Sequence, residues 1–241
     1  MRALQRAVST LYPDQCALCR EIVERPGALC PACWRGVQFV YGHACDTCGT
    51  PLPGDSDGVA DHCDECRQIV RPWTQGRAAF VYRDAGRRFV LALKHGDRPD
   101  LAGTAAGWLA DKVTPLLDPD AVIVPVPVHW TRLLRRRYNQ SAEIVRALGQ
   151  RLDLPAIPDA IVRTRATTVQ DGLDPEARFR NQAGAMALRP NRGSLVAGRQ
   201  VVLIDDVMTS GATLSAAADV CLAAGARQVV VAVLARAVRS T

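Results

Sequence analysis

Lysine is almost missing from this chain. Lys94 and Lys112 are the only two in 241 residues, so the net charge of +6 is carried by arginine. Arginine presents a planar fork suited to bidentate phosphate contacts, and a positive balance fits phosphate-rich ligands or nucleic acid without proving either. Long apolar runs are also missing: none approaches the roughly 18 residues a membrane span needs, so no membrane insertion is expected. Met1 to Thr10 holds charge but no apolar core of a secretory signal, which gives a cytoplasmic location as the expectation. After residue 66 cysteine all but disappears, and the lone Cys221 reads most simply as a buried apolar side chain.

The cysteines that are present form a pattern. Eight of the nine lie between positions 16 and 66 as four Cys-x-x-Cys pairs, Cys16/Cys19, Cys30/Cys33, Cys45/Cys48 and Cys63/Cys66. One such knuckle brings two thiolates to a tetrahedral metal, and two knuckles complete a structural zinc site. Disulfides are disfavoured in a reducing compartment, and a redox Cys-x-x-Cys is normally single and attached to a βαβ unit. Two structural zinc ions are therefore expected. Sequential pairing, first knuckle with second and third with fourth, gives a double zinc ribbon; alternating pairing gives a cross-brace. Sequential pairing is preferred, with His43 and His62 as bystanders. A segment this short has little core of its own, so metal binding would supply much of its folding free energy. The stretch from Arg67 to Gly76 marks a domain boundary, giving a ribbon domain over 1–70 and a second domain over 71–241.

In that second domain, Val201-Val-Leu-Ile204 reads as a buried parallel strand ending abruptly in two carboxylates, Asp205 and Asp206. Small and hydroxyl residues follow, then an alanine-rich helix closed near Gly225. Loop N–H groups and a helix N-terminus converge on one spot, where the helix dipole favours phosphate. The carboxylates cannot bind that phosphate; they suit sugar hydroxyls or hydrated magnesium. The combination describes a site for a ribose 5-phosphate carrying further phosphate.

Upstream, Ala79-Phe-Val-Tyr82 reads as a strand and Ala85 to His95 as a helix, with Lys94 either a phosphate contact or a solvated helix end. A helix from about Asp100 to Val113 follows. Ala121 to Val128 is a second buried strand that Pro125 and Pro127 must terminate. Arg132 to Arg137 then leads into a helix from about Ser141 to Arg151. A loop at the C-terminal end of a parallel strand is where open α/β sheets bind ligands, which makes Arg132, Arg136, Asn139 and Gln140 pyrophosphate candidates. The same arginines could grip a nucleic-acid backbone, although few aromatics lie among them for base stacking. Residues 161–186 look polar and irregular, compatible with a lid carrying Gln170, Arg178 and Asn181. Gln228 to Leu234 is a further strand.

The stretch from Ile204 to Thr213 resembles the phosphoribosyl pyrophosphate (PRPP) motif of type I phosphoribosyltransferases, with Ser210 in place of a common threonine. The resemblance implies that Asp205 and Asp206 hold the ribose hydroxyls, with magnesium accompanying PRPP. It also implies that Thr209, Ser210, Gly211, Ala212 and Thr213 wrap the 5-phosphate, with Val207 and Met208 in the same PRPP-binding stretch. With the cysteine ribbons, Lys94-His-Gly-Asp97, Val124-Pro-Val-Pro-Val-His129, Arg-Tyr-Asn-Gln140 and terminal Ala235-Arg236, the whole chain resembles the ComF (GntX-type) family. That implies an α/β core, a parallel sheet flanked by helices, behind the small ribbon domain. It further implies a link to natural transformation, with imported single-stranded DNA and a helicase-like partner. Two functions follow as alternatives: phosphoribosyl transfer to an unknown acceptor, with Asp205 and Asp206 as catalytic residues, or a non-catalytic PRPP sensor or DNA adaptor. Thr209 stands where purine-type relatives often carry an acid, which weakens a purine acceptor.

Overall fold

The computed structural model describes residues 13–56, 58–95, 98, 100–127, 140–167 and 174–238. In chain order its elements begin with two short helices, α1 (Pro31–Arg35) and α2 (Asp64–Gln68), each starting inside a cysteine knuckle. Then come β1 (Gln75–Val81), α3 (Asp84–His95), α4 (Leu101–Val113), a 3₁₀ turn (Thr114–Leu116), β2 (Val122–Pro125) and α5 (Gln140–Leu152). The chain continues with β3 (Ile161–Arg163), α6 (Pro175–Gln182), β4 (Met186–Leu188), α7 (Gly193–Val196), β5 (Gln200–Met208), α8 (Ala212–Ala223) and β6 (Gln228–Arg236).

Four strands form one sheet in the order β1-β6-β5-β2, and every pairing is parallel. Parallel strands buried on both faces need apolar side chains at every position, and β5 and β6 supply them. Along β5, Val202 and Ile204 face one core while Val201 and Leu203 face the other, as the two-residue strand period requires. The first core is closed by Phe89 and Leu93 of α3, Leu101, Ala105 and Leu109 of α4, and Ile144 and Leu148 of α5. The second is closed by Leu214, Ala217, Ala218 and Cys221 of α8. Cys221 is fully buried there, as expected of a small apolar side chain.

Two expectations change. The central strand does not stop at the acidic pair: β5 continues to Met208, with Val207 opposite Ala235 and Met208 opposite Arg236. β6 is long enough to keep offering ladder partners, so the carboxylates project from within the strand's last residues. Nor is 161–186 irregular throughout. Its described ends pair antiparallel as β3 and β4, and α6 between them is capped by Asp174, whose carboxylate accepts from the Ala177 N–H at 2.7 Å. Short strands flanking a polar helix carry too little apolar periodicity to register as sheet. The strand before Pro125 and Pro127 does end there, at Pro125.

The cysteine-rich segment lies against the outer edge of β1. Val40 N–H donates to the Ala79 carbonyl and Val81 N–H to the Gln38 carbonyl, both at 2.9 Å, and Gly76 N–H donates to Asp46 at 2.8 Å. An open strand edge is a template for aggregation, and here the ribbons cover it. The approach is close: a Cβ on Gly49, whose φ is +69°, would fall 2.4 Å from the Ala78 nitrogen. Buried Trp73 fastens the same junction, its indole Nε1 donating to the Thr47 carbonyl at 2.7 Å.

Candidate phosphate loop and cysteine tetrads

The sulfurs group as Cys16, Cys19, Cys30 and Cys33, and as Cys45, Cys48, Cys63 and Cys66, with the ligand atoms of each set within 4.8 Å of one another. The pairing is sequential. Contacts of 3.5 Å between Cys19 and Cys30 and 3.6 Å between Cys48 and Cys63 are far too long for disulfides. They match the roughly 3.8 Å separation of thiolates each about 2.3 Å from a tetrahedral zinc. Backbone N–H groups of Leu18 and Cys30 point at Cys16 Sγ, at 3.5 and 3.3 Å. Burial works against the Cys16 thiolate, but amide donors from Cys30, Leu18 and Cys19 outweigh it and bring the thiol down to about 6. The donor sets fit two structural zinc sites. His43 and His62 are in neither set; their Nδ1 atoms meet the Pro53 carbonyl and Thr47 Oγ1, each at 3.0 Å.

Asp205 and Asp206 sit near the C-terminal end of β5, the position where parallel sheets present ligand sites. Burial pushes the Asp205 carboxyl up to about 7, and repulsion from Asp206 adds to this, against the pull of Lys94 and Arg163. Lys94, at the end of α3, places Nζ 2.8 Å from Asp206 Oδ1. Ser141, at the start of α5, brings Oγ to 3.5 Å from Asp205 Oδ1. Gln140 is fully buried and donates from Nε2 to the Lys94 carbonyl at 3.3 Å, so it reaches the acidic pair through Lys94. The other pyrophosphate candidates, Arg132, Arg136 and Asn139, lie outside the described residues, as does Gln170.

Beyond the acids, Thr209 and Ser210 lead to Gly211, which begins α8 with φ +78°. An L side chain is strained at that φ, and a Cβ would also fall 2.9 Å from Arg71 Nη1. The buried Ser210 hydroxyl has no hydrogen-bond partner among the described residues, a costly arrangement for a polar group unless a ligand completes it.

The loop's carbonyls are held from behind by two buried guanidiniums. Arg71 Nη1 donates to the Ser210 carbonyl at 2.5 Å. Arg236 Nη1 donates to Thr209 at 2.6 Å and to Met208 at 3.3 Å. Arg71 also lies between the rings of Trp73 and Phe179, 5.5 and 5.6 Å from their centroids. Phe179 belongs to α6, so the segment carrying the lid candidates Arg178 and Asn181 packs toward the loop. Arg163 donates from Nε to the Pro127 carbonyl at 2.9 Å and from Nη1 to Gln182 at 2.9 Å, tying β3 and α6 to the end of the β2 segment.

Reading the sequence alone missed Glu65, Arg71 and Ser141. Arg163, inside the polar stretch 161–186, was not singled out, and Arg236 was visible only as part of the terminal Ala235-Arg236 pair. No local spacing marks Glu65 or Arg71, since their contacts are made across the fold.

Comparison with known proteins agrees with both halves. A double zinc ribbon domain matches residues 7–67, and a phosphoribosyl transferase domain matches residues 140–241. The DNA utilization protein YhgH of Escherichia coli K12 is 30% identical over 220 residues, covering 89% of this chain and 86% of that protein. Competence protein F of Haemophilus influenzae is 29% identical, covering 87% and 90% respectively. Competence protein ComFC of Bacillus subtilis is 25% identical, covering 91% and 83%. A likeness that runs through ribbons, sheet and acidic loop alike settles the ancestry: the chain belongs to the ComF family of phosphoribosyltransferase-like proteins with an N-terminal double zinc ribbon.

Proposed function

We propose that this protein binds PRPP with magnesium and serves the use of imported DNA. The observation that carries the binding reading is the geometry at the end of β5. Two carboxylates near the end of β5 lead into a loop whose carbonyls are engaged from behind, whose Ser210 hydroxyl lacks a partner among the described residues, and which starts a twelve-residue helix. In this reading Thr209 to Thr213 hold the 5-phosphate through backbone N–H groups and the helix dipole. Asp205 and Asp206 take the ribose hydroxyls, and magnesium bound with PRPP would supply positive charge for the pyrophosphate. Lys94, whose charge is matched by Asp206, is placed to exchange that partner for a phosphate oxygen. Arg132, Arg136 and Asn139 complete the pyrophosphate side, Gln140 supports Lys94, and α6 with Arg178 and Asn181 covers the loop. Residues 1–70 act as the zinc-held ribbon unit and 71–241 as the PRPP-binding unit.

The link to DNA rests on the relatives, which are named for DNA utilization and competence. Single-stranded DNA and a helicase-like protein are the partners this implies. Transfer to an acceptor would proceed by positioning and by charge stabilisation of departing pyrophosphate, and Thr209 in place of an acid argues against a purine acceptor. Calorimetry with PRPP and magnesium tests the binding reading, with Asp205→Asn/Asp206→Asn as the control variant. Pyrophosphate release on adding acceptors then separates an enzyme from a sensor.

A further inference from the structure

We propose that Glu65 is a positioning residue through which the second cysteine tetrad sets the shape of the phosphate loop. Glu65 lies between two of that tetrad's ligands, Cys63 and Cys66, on the first turn of α2. Its two carboxylate oxygens are divided between two arginines. Oε1 accepts from Arg71 Nη2 at 3.0 Å and Oε2 from Arg236 Nη2 at 2.9 Å. Those arginines use their other nitrogens on the carbonyls of Ser210, Thr209 and Met208. The path from a metal-holding knuckle to the loop is thus one carboxylate and two guanidiniums, with no unbonded step.

Three physical features make the connection more than a surface contact. First, the arginine side chains are only 1% and 4% exposed, whereas Glu65 is 38% exposed. A buried guanidinium needs a counter-charge: Glu65 gives one to both arginines, and Arg236 also faces the sulfur of Cys48, itself a member of the tetrad. Second, a trans peptide points its carbonyl and its N–H in opposite directions. Fixing the carbonyls of Met208, Thr209 and Ser210 against the arginines therefore turns the N–H groups of Thr209, Ser210 and Gly211 to the opposite side, where an anion would be met. Third, Gly211 leaves no room for a side chain beside Arg71, so the arginine and the loop are fitted to each other. A tetrad that holds its metal fixes α2 and with it Glu65; preorganised amides then bind phosphate without an ordering cost.

This inference rests on the PRPP reading for its ligand but not for its structural content, and the test separates the two. Glu65→Gln keeps the side-chain size and one acceptor oxygen while removing the charge. In that variant, zinc content should match the wild type. Hydrogen exchange at residues 208–214 should be faster in the unliganded protein, and affinity for PRPP and for ribose 5-phosphate should each fall about tenfold. Affinity for inorganic pyrophosphate should stay unchanged, because Lys94 and Gln140, the described residues of the pyrophosphate side, bond to Asp206 and to each other and not to Glu65, Arg71 or Arg236; a general loss of stability would weaken all three ligands together. Arg71→Lys is the companion variant, retaining the charge but not the two-sided reach. It should show the same faster exchange if Glu65→Gln fails to fold. Unchanged exchange in the folded variants, or equal loss for all three ligands, would overturn the inference. A wild type that binds neither PRPP nor ribose 5-phosphate would instead defeat the PRPP reading, with the exchange result still deciding the relay.

Discussion

A half-buried carboxylate beside another carboxylate has a thermodynamic signature, and Asp205 should display it. In the unfolded chain its pKa is about 4, whereas in the fold burial and the neighbouring Asp206 raise it to about 7. A raised folded value means that the group's stabilising contribution is complete below about pH 4 and is lost as pH climbs to about 7. Asp205→Asn removes that slope. Urea unfolding across this window should show wild type and variant alike at the acid end and the variant more stable above neutrality, even though it has lost a site residue. A parallel pH dependence in both proteins would show that Asp205 ionises normally. Gly211 offers a second check at this scale. Gly211→Ala places a Cβ at φ +78° and against Arg71, so about 1–3 kcal/mol of stability should be lost, read from the shift in denaturation midpoint. The acidic pair and Gly211 were legible in sequence because thirteen consecutive residues carry the whole pattern. Arg71 was not, since its loop contact spans 139 residues and nothing in its neighbours announces a partner so distant.

Among the elements, those with a strong period were found and typed correctly, and all but β5, which runs past its acidic pair to Met208, were read nearly to their ends. β5, β6, α4 and α5 follow from continuous β-branched runs or from apolar residues at helical spacing. The weakly periodic ones were not: β3 and β4 are three residues each, too short for alternation to show. The ribbons were legible as metal sites from spacing alone, and sequential pairing was the right preference. Their attachment was hidden because much of it uses backbone hydrogen bonds to the β1 edge, which leave no mark in side-chain identity. Metal analysis of the reduced protein should find two zinc ions per chain. Chelation should unfasten the ribbon from β1, lowering the melting temperature and promoting aggregation through the exposed edge. A metal-free reduced protein with an unchanged melt would contradict this. Trp73→Ala, which removes both the Thr47 hydrogen bond and the face over Arg71, should cost about 3–5 kcal/mol.

At the scale of the whole molecule, buried contacts join the chain on both sides of the boundary expected between residues 70 and 71. Arg71 and Trp73 are buried on either side of Pro72, and Glu65 of the ribbon shares a charge network with Arg236 of β6. The second cysteine tetrad, the β1 edge and the loop after β5 are thus joined by buried contacts. No helix among the described residues is long and apolar enough to cross a membrane. Isothermal calorimetry with PRPP and magnesium tests most directly whether this site holds PRPP. Saturable binding is expected for the wild type and none measurable for Asp205→Asn/Asp206→Asn, with both proteins folded and zinc-loaded. Equal affinity in the two proteins would contradict this expectation.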